Sequence, residues 1–108
     1  MSIFYFALSG APVAFRRTVS DRYLFDRQGH WIGWFPWGDN DVVDKDGEYL
    51  GTVVGNRLLS RLVQPYRGYP GYPGFPGYAG YPGYPGFAGY AGYTAGFQDV
   101  DGGRLSGN

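Results

Sequence analysis

Five carboxylates crowd one short stretch of the chain: Asp39, Asp41, Asp44, Asp46 and Glu48. Converging oxygens of this kind could hold calcium, and a pair of them in a cleft could cleave a glycosidic bond. The spacing argues against both. In DNDVVDKDGE, valines stand where a calcium loop needs ligands, and Asp44 and Asp46 read more simply as turn formers around Gly47. A single histidine, His30, leaves no His–His metal pair, and it follows a turn glycine, where a polar strand-start role fits better than a general base. With no cysteine there is no thiolate, disulfide or Cys nucleophile. Neither a GxSxG elbow nor a phosphate-cradling glycine loop occurs. The expectation is a chain that is not an enzyme and needs no metal or cofactor.

Binding chemistry is better represented. Trp31, Trp34 and Trp37 fall at short intervals and offer flat apolar faces for a sugar or another planar ligand. If 30–37 is a regular strand, Trp31, Gly33, Phe35 and Trp37 share one face, with Ile32 and Trp34 on the other. Core filling is then the favoured role for most of these rings, since a small head has few other large side chains. The arginines 16, 17, 22, 57, 61 and 67 alternate with aspartates along the chain, and nine basic residues balance nine acidic ones. Zero net charge speaks against strong nucleic-acid binding.

The elements that position these residues follow from repeats. Aligning Gly10, Gly29 and Gly47 superimposes FALSGAPVAF, FDRQGHWIGW and VDKDGEYLGT. An apolar residue stands three after each glycine (Val13, Ile32, Leu50) and a tiny one four after (Ala14, Gly33, Gly51). Asp26 and Asp44, three before Gly29 and Gly47, can accept bonds from the backbone two residues on. The glycine then supplies the positive φ of a bulged hairpin turn. Gly33 and Gly51 mark a bend or a close backbone approach within a strand. These signals predict strands at 3–8, 11–17, 22–26, 30–37, 41–44 and 48–54. A seventh strand at 57–63 is favoured over a short helix, whose spacing Leu58, Leu59 and Leu62 also fit. Phe97 to Val100 supplies a return strand for a fourth hairpin.

Between those last two strands the composition changes. Residues 68–97 carry no charge, and from Gly68 to Thr94 nine triplets each open with Gly and place Tyr or Phe second. The chain thus divides into a hairpin-repeat head at 1–67, a Gly-Tyr-Pro triplet segment at 68–97 and a polar tail at 98–108, with 97–101 a closing strand. Three readings fit the triplets: a flexible low-complexity segment, which weighs most; a polyproline II arm with its aromatics on one face; and, last, a collagen-like helix.

The motifs YLFDRQGHWIGWF, DVVDKDGEYLGTVVGNRLL and FQDVD resemble those of the bacterial four-fold β-flower proteins. That resemblance implies an all-β fold: repeated hairpins closing into a small shallow barrel with pseudo-four-fold symmetry. It implies no reaction. The expected function is a structural or interaction module whose aromatic arm drives self-association or protein docking. Its candidate contacts are Trp31, Trp34, Trp37, Tyr69, Tyr72, Phe75, Tyr78, Tyr81 and Tyr84. The alternative is a barrel that binds a small ligand, a glycan or a lipid headgroup through its channel and tryptophans. The apolar N-terminus is interrupted by Gly10 and Pro12 and reads as a hairpin, not a signal peptide or membrane span. Peripheral membrane contact and cellular compartment stay open.

Overall fold

The computed structural model describes residues 2–64 and 66–106; the last two positions of the predicted polar tail lie outside them. The chain is all-β. Seven strands form in order: β1 (Ile3–Phe6), β2 (Pro12–Arg16), β3 (Tyr23–Asp26), β4 (Trp31–Trp34), β5 (Asp41–Asp44), β6 (Tyr49–Val54) and β7 (Arg57–Arg61). Each pairs antiparallel with the next. A parallel contact between Phe6 of β1 and Arg57 of β7 closes the barrel. The eighth strand, β8 (Phe97–Asp99), pairs with the upper part of β7 through Leu59↔Asp99 and Arg61↔Phe97. Four hairpins therefore surround one axis, and 62–96 is the loop of the fourth. The stretch from 57 is a strand and not a helix, since its amides pair on both sides.

The three short hairpins share one turn. Asp26 Oδ1 accepts from the amides of Gln28 and His30, and Asp44 Oδ1 accepts from those of Asp46 and Glu48, all at 2.9–3.0 Å. Gly29 and Gly47 close these turns at φ +95° and +88°, a region that penalises any side chain. Directly after each turn the register slips by one residue. Tyr5 faces Ala14 while Phe6 faces Pro12; Leu24 faces Gly33 while Phe25 faces Trp31; Val42 faces Gly51 while Val43 faces Tyr49. Val13, Ile32 and Leu50 are the extra residues. This bulge accounts for the apolar-then-tiny pair in each repeat. Ile32 and Leu50 join the interior cluster with Tyr5, Leu24, Phe35, Val42 and Leu58, and Val13 packs against it. The tiny partner must be tiny: a Cβ on Gly33 would overlap the Val43 carbonyl, and one on Gly51 would stand 2.9 Å from the Leu59 carbonyl.

The bulge also corrects the regular alternation expected for 30–37. The strand ends at Trp34, Ile32 falls on the inner side, and Trp31 and Trp34 both face outward opposite Phe25 and Tyr23. A second buried layer thus forms outside the barrel. The rings of Phe4, Phe15 and Phe25 pack in series at 5.9 and 5.6 Å. Arg17 covers Phe25 at 4.9 Å, and Arg22 covers Trp34 at 4.8 Å. Full burial of Phe15, Phe25 and Trp34 stabilises the fold by roughly 2–3 kcal/mol per ring.

After β8, Val100 enters the interior cluster and Asp101 caps a single 3-10 turn, Gly102–Arg104. Arg104 donates to the Tyr49 carbonyl at 2.8 Å and to Asp44 Oδ2 at 2.9 Å, tying this turn to the third hairpin.

Candidate functional site: an aromatic girdle on the hairpin tips

The loop 62–96 is laid across the tips of the other three hairpins, in reverse chain order. Pro70 meets the third: a Cβ on Gly47 would sit 3.2 Å from Pro70 Cγ. The Ala79 amide donates to the Gly29 carbonyl of the second hairpin at 2.9 Å, and the Ala88 amide donates to the Gly10 carbonyl of the first, also at 2.9 Å. The Ala91 amide donates to the Leu8 carbonyl at 2.8 Å. Arg57 grips both partners at the first hairpin, donating to the carbonyls of Ala7 and Gly89.

These anchors are periodic. Arg61, Pro70, Ala79, Ala88 and Phe97 stand at successive intervals of nine residues, which is three triplets per hairpin. The third triplet position is chosen accordingly. It is Pro at 70, 73, 76, 82 and 85, Ala at 79, 88 and 91, and Thr at 94. Each of those three alanines donates a backbone hydrogen bond to the head, which proline cannot do.

The strap is not the regular polyproline II arm considered from sequence. Eight of its nine triplet glycines, all but Gly89, have φ between +72° and +92°. Polyproline II requires negative φ throughout. A left-handed glycine in eight of the nine triplets turns the chain, so it curves around the barrel instead of projecting from it.

Because the backbone makes the inward bonds, the rings point outward. Tyr69, Tyr72, Phe75, Tyr78, Tyr81, Tyr84, Phe87, Tyr90 and Tyr93 are each 55–85% exposed. A few touch the head at their edges. The Tyr78 hydroxyl donates to the Gln28 carbonyl, Phe75 lies 5.7 Å from Trp31, and Arg27 stands 5.8 Å over Tyr84. In the opposite sense, the hydroxyl of Tyr23 in the head donates to the Pro73 carbonyl.

The three tryptophans do not converge. Trp31 lies between Tyr23 and Phe75; Trp34 is buried on the outer face near Gly71 of the strap; Trp37 carries the Arg67 guanidinium 4.3 Å above its ring. The barrel axis is occupied by side chains of the interior cluster.

The acidic residues divide by task as well. Arg67, at the root of the strap, donates to Asp39 and to Asp41, the latter at 3.0 Å. Asp41 is buried and anchors a directed chain. The Arg61 amide donates to the Tyr49 hydroxyl at 3.0 Å, which donates to Thr52 Oγ1 at 2.7 Å, which donates to Asp41 at 2.8 Å. Burial pushes the Asp39 carboxyl up, but hydrogen bonds from the Asp41 amide and Arg67, with the Arg67 charge, outweigh it and hold the group below the usual range. The Arg67 guanidinium is raised, chiefly by its bond to Asp39. Among the described residues no group of three or more His, Cys, Asp or Glu side chains is placed to hold a metal ion.

Sequence reasoning missed this clasp and its root. One signal was visible: the alanines that interrupt the prolines mark where a backbone N–H is required.

Fold and site together define a small closed hairpin barrel girdled by its own aromatic strap. Comparison with protein-family models, curated proteins and solved structures returns no match. No helix among the described residues is long and apolar enough to cross a membrane.

Proposed function

We propose that the protein is a non-catalytic interaction module in which the barrel holds the strap and the strap presents its rings to a second copy of the chain. One observation carries this reading: nine uncharged triplets, three of them bonded to the head through their alanine amides, with every Tyr and Phe ring of the nine more than half exposed. Large exposed apolar patches mark interaction sites, and here nine exposed rings follow one another along a single segment. Tyr and Phe are also the side chains enriched at protein interfaces. Zero net charge removes the long-range repulsion that would keep copies apart. The four-hairpin barrel also supports placing the chain with the β-flower proteins it resembles.

Sedimentation velocity over a concentration series tests the reading. The wild-type chain is expected to associate reversibly. A variant with Tyr69, Tyr72, Tyr81, Tyr90 and Tyr93 replaced by Ser keeps the clasp bonds and should sediment as a monomer. A wild-type chain that stays monomeric throughout, or a variant that associates equally, defeats the proposal.

A further inference from the structure

Lys45, the chain's only lysine, places its ammonium 6.0 Å from the centre of the Trp31 ring, at the outer limit of a cation–π contact. The ring it approaches is one side of a shallow, open aromatic depression. The bulge at Ile32 turns Trp31 outward, and its indole N–H is fixed by donating to the Gly33 carbonyl at 2.7 Å. Tyr23 meets it edge-on at 6.0 Å and 82°, and Phe75 of the strap meets it at 5.7 Å and 63°. One triplet further, Tyr78 brings its ring within 5.0 Å of His30. His30, Trp31, Phe75 and Tyr78 line a depression of about 140 Å³ with Lys45 at its edge.

We propose that this aromatic depression binds a quaternary ammonium group, the trimethylammonium of a small molecule or of a lipid headgroup. Aromatic faces carry negative potential, and converging rings attract a cation that has no N–H to satisfy. A primary ammonium is strongly hydrated and gives up its water reluctantly. Lys45 accordingly stays at the rim, 6.0 Å from the Trp31 ring, and shows that positive charge is tolerated beside it. A trimethylammonium group spreads its charge over methyl groups that pack on rings. Two sides come from the head and two from the strap. Ligand and strap docking are therefore linked: whatever fills the depression stabilises the clasped strap by mass action. This inference does not depend on self-association, since the rings that form the depression differ from those exchanged in the sedimentation test.

The test titrates choline chloride into the isotope-labelled full chain and follows the Trp31 indole N–H resonance. Sodium chloride serves as the salt control, and dimethylbutanol, in which carbon replaces the charged nitrogen, as the neutral isostere. Choline should give a saturable shift, with the isostere about tenfold weaker. Lys45→Gln should tighten choline binding severalfold by removing the competing ammonium. Phe75→Leu and Tyr78→Leu should each weaken it about tenfold while the barrel resonances stay in place. Equal binding of choline and isostere, a shift that never saturates, or weaker binding by Lys45→Gln would overturn the proposal. Phosphatidylcholine and phosphatidylglycerol vesicles then separate the sources. Co-sedimentation with the first alone supports a lipid headgroup, and choline binding with neither vesicle supports a free small molecule.

Discussion

The amide of Ala79 donates to the carbonyl of Gly29 at 2.9 Å, and this contact explains why an alanine interrupts a run of prolines. Gly29 is a turn residue of the second hairpin and is buried beneath the strap, so its carbonyl has the Ala79 amide in place of water. Ala88 repeats the arrangement on buried Gly10. The triplets therefore carry two messages. Their second positions display aromatic rings, and their third positions set where the strap is fastened.

Ala79→Pro and Ala88→Pro should unfasten the strap locally. Each removes one donor and leaves a buried carbonyl unpaired, at a cost of about 1–3 kcal/mol. Pro76→Ala, at a third position without such a bond, should change stability by less than about 1 kcal/mol, through the unfolded chain alone. Limited proteolysis of the strap checks both. Faster cleavage in the Ala→Pro variants, with the barrel intact, is expected, and equal rates in all three variants would mean the alanines do not fasten it.

Substitution at the turn glycines separates the cost of the turn from the cost of the strap. Gly29→Ala and Gly47→Ala share a backbone penalty of about 1–2 kcal/mol for a side chain at positive φ. Only at Gly29 would the new Cβ overlap strap backbone, at the Gly80 carbonyl; at Gly47 it meets the edge of the Pro70 ring at 3.2 Å. Gly29→Ala is expected to expose the strap to amide exchange at Ala79, whereas Gly47→Ala lowers the melting temperature and leaves that amide protected.

The hairpins were legible because their signals are local. Asp26 and Gly29, or Asp44 and Gly47, specify a turn whatever surrounds it. The strands expected at 3–8 and 30–37 end earlier in the structure, at Phe6 and Trp34, because Ala7 and Phe35 look no different from strand residues until pairing is known. The pair formed by Ile32 and Gly33 was visible as a repeat. That both residues serve the inner side depends on a register slip, which has no spelling of its own in the chain. This is why Trp31 and Trp34, assigned to opposite faces, share the outer one. The strap was harder still. Its three alanine bonds to the head run backbone to backbone, and such a bond leaves a trace only where it forbids proline.

Thr52 joins the Tyr49 hydroxyl to the buried Asp41 carboxylate, with both bonds at 2.7–2.8 Å. Thr52→Val keeps the shape and removes both. The Tyr49 hydroxyl then has no acceptor for its proton, and Asp41 Oδ1 is left with Arg61 alone, which costs about 1–3 kcal/mol. Denaturant unfolding should show a lower midpoint with an unchanged slope. Asp41 keeps Arg61 and Arg67, so the strap root should hold, and Arg67 should remain over Trp37. Loss of that stack in Thr52→Val would show that the polar chain and the strap root act as one unit.

Acid should loosen the strap at its root before it unfolds the barrel. Asp39 is held below the usual carboxylate range, since hydrogen bonds from the Asp41 amide and Arg67 outweigh the upward push of burial. A carboxyl lowered on folding binds fewer protons folded than unfolded. Its stabilising effect is therefore present above about pH 4 and disappears as the pH falls through its lowered folded value. Asp21 is lowered in the same sense, its burial opposed by bonds from the Arg17 side chain and the Tyr23 and Arg17 amides, but it clamps the β2–β3 loop and not the strap. The charged groups facing Asp39 are Arg67 and, beyond it, Asp41 with Arg61. Below pH 4 the Trp37 indole resonance should move as Arg67 leaves its face, while the amide of Leu24 in the core stays in place. Asp39→Asn should produce part of that shift at neutral pH and flatten the titration, and Asp21→Asn should do neither. A Trp37 titration that Asp39→Asn leaves unaltered would mean that some other group fastens the strap to the barrel.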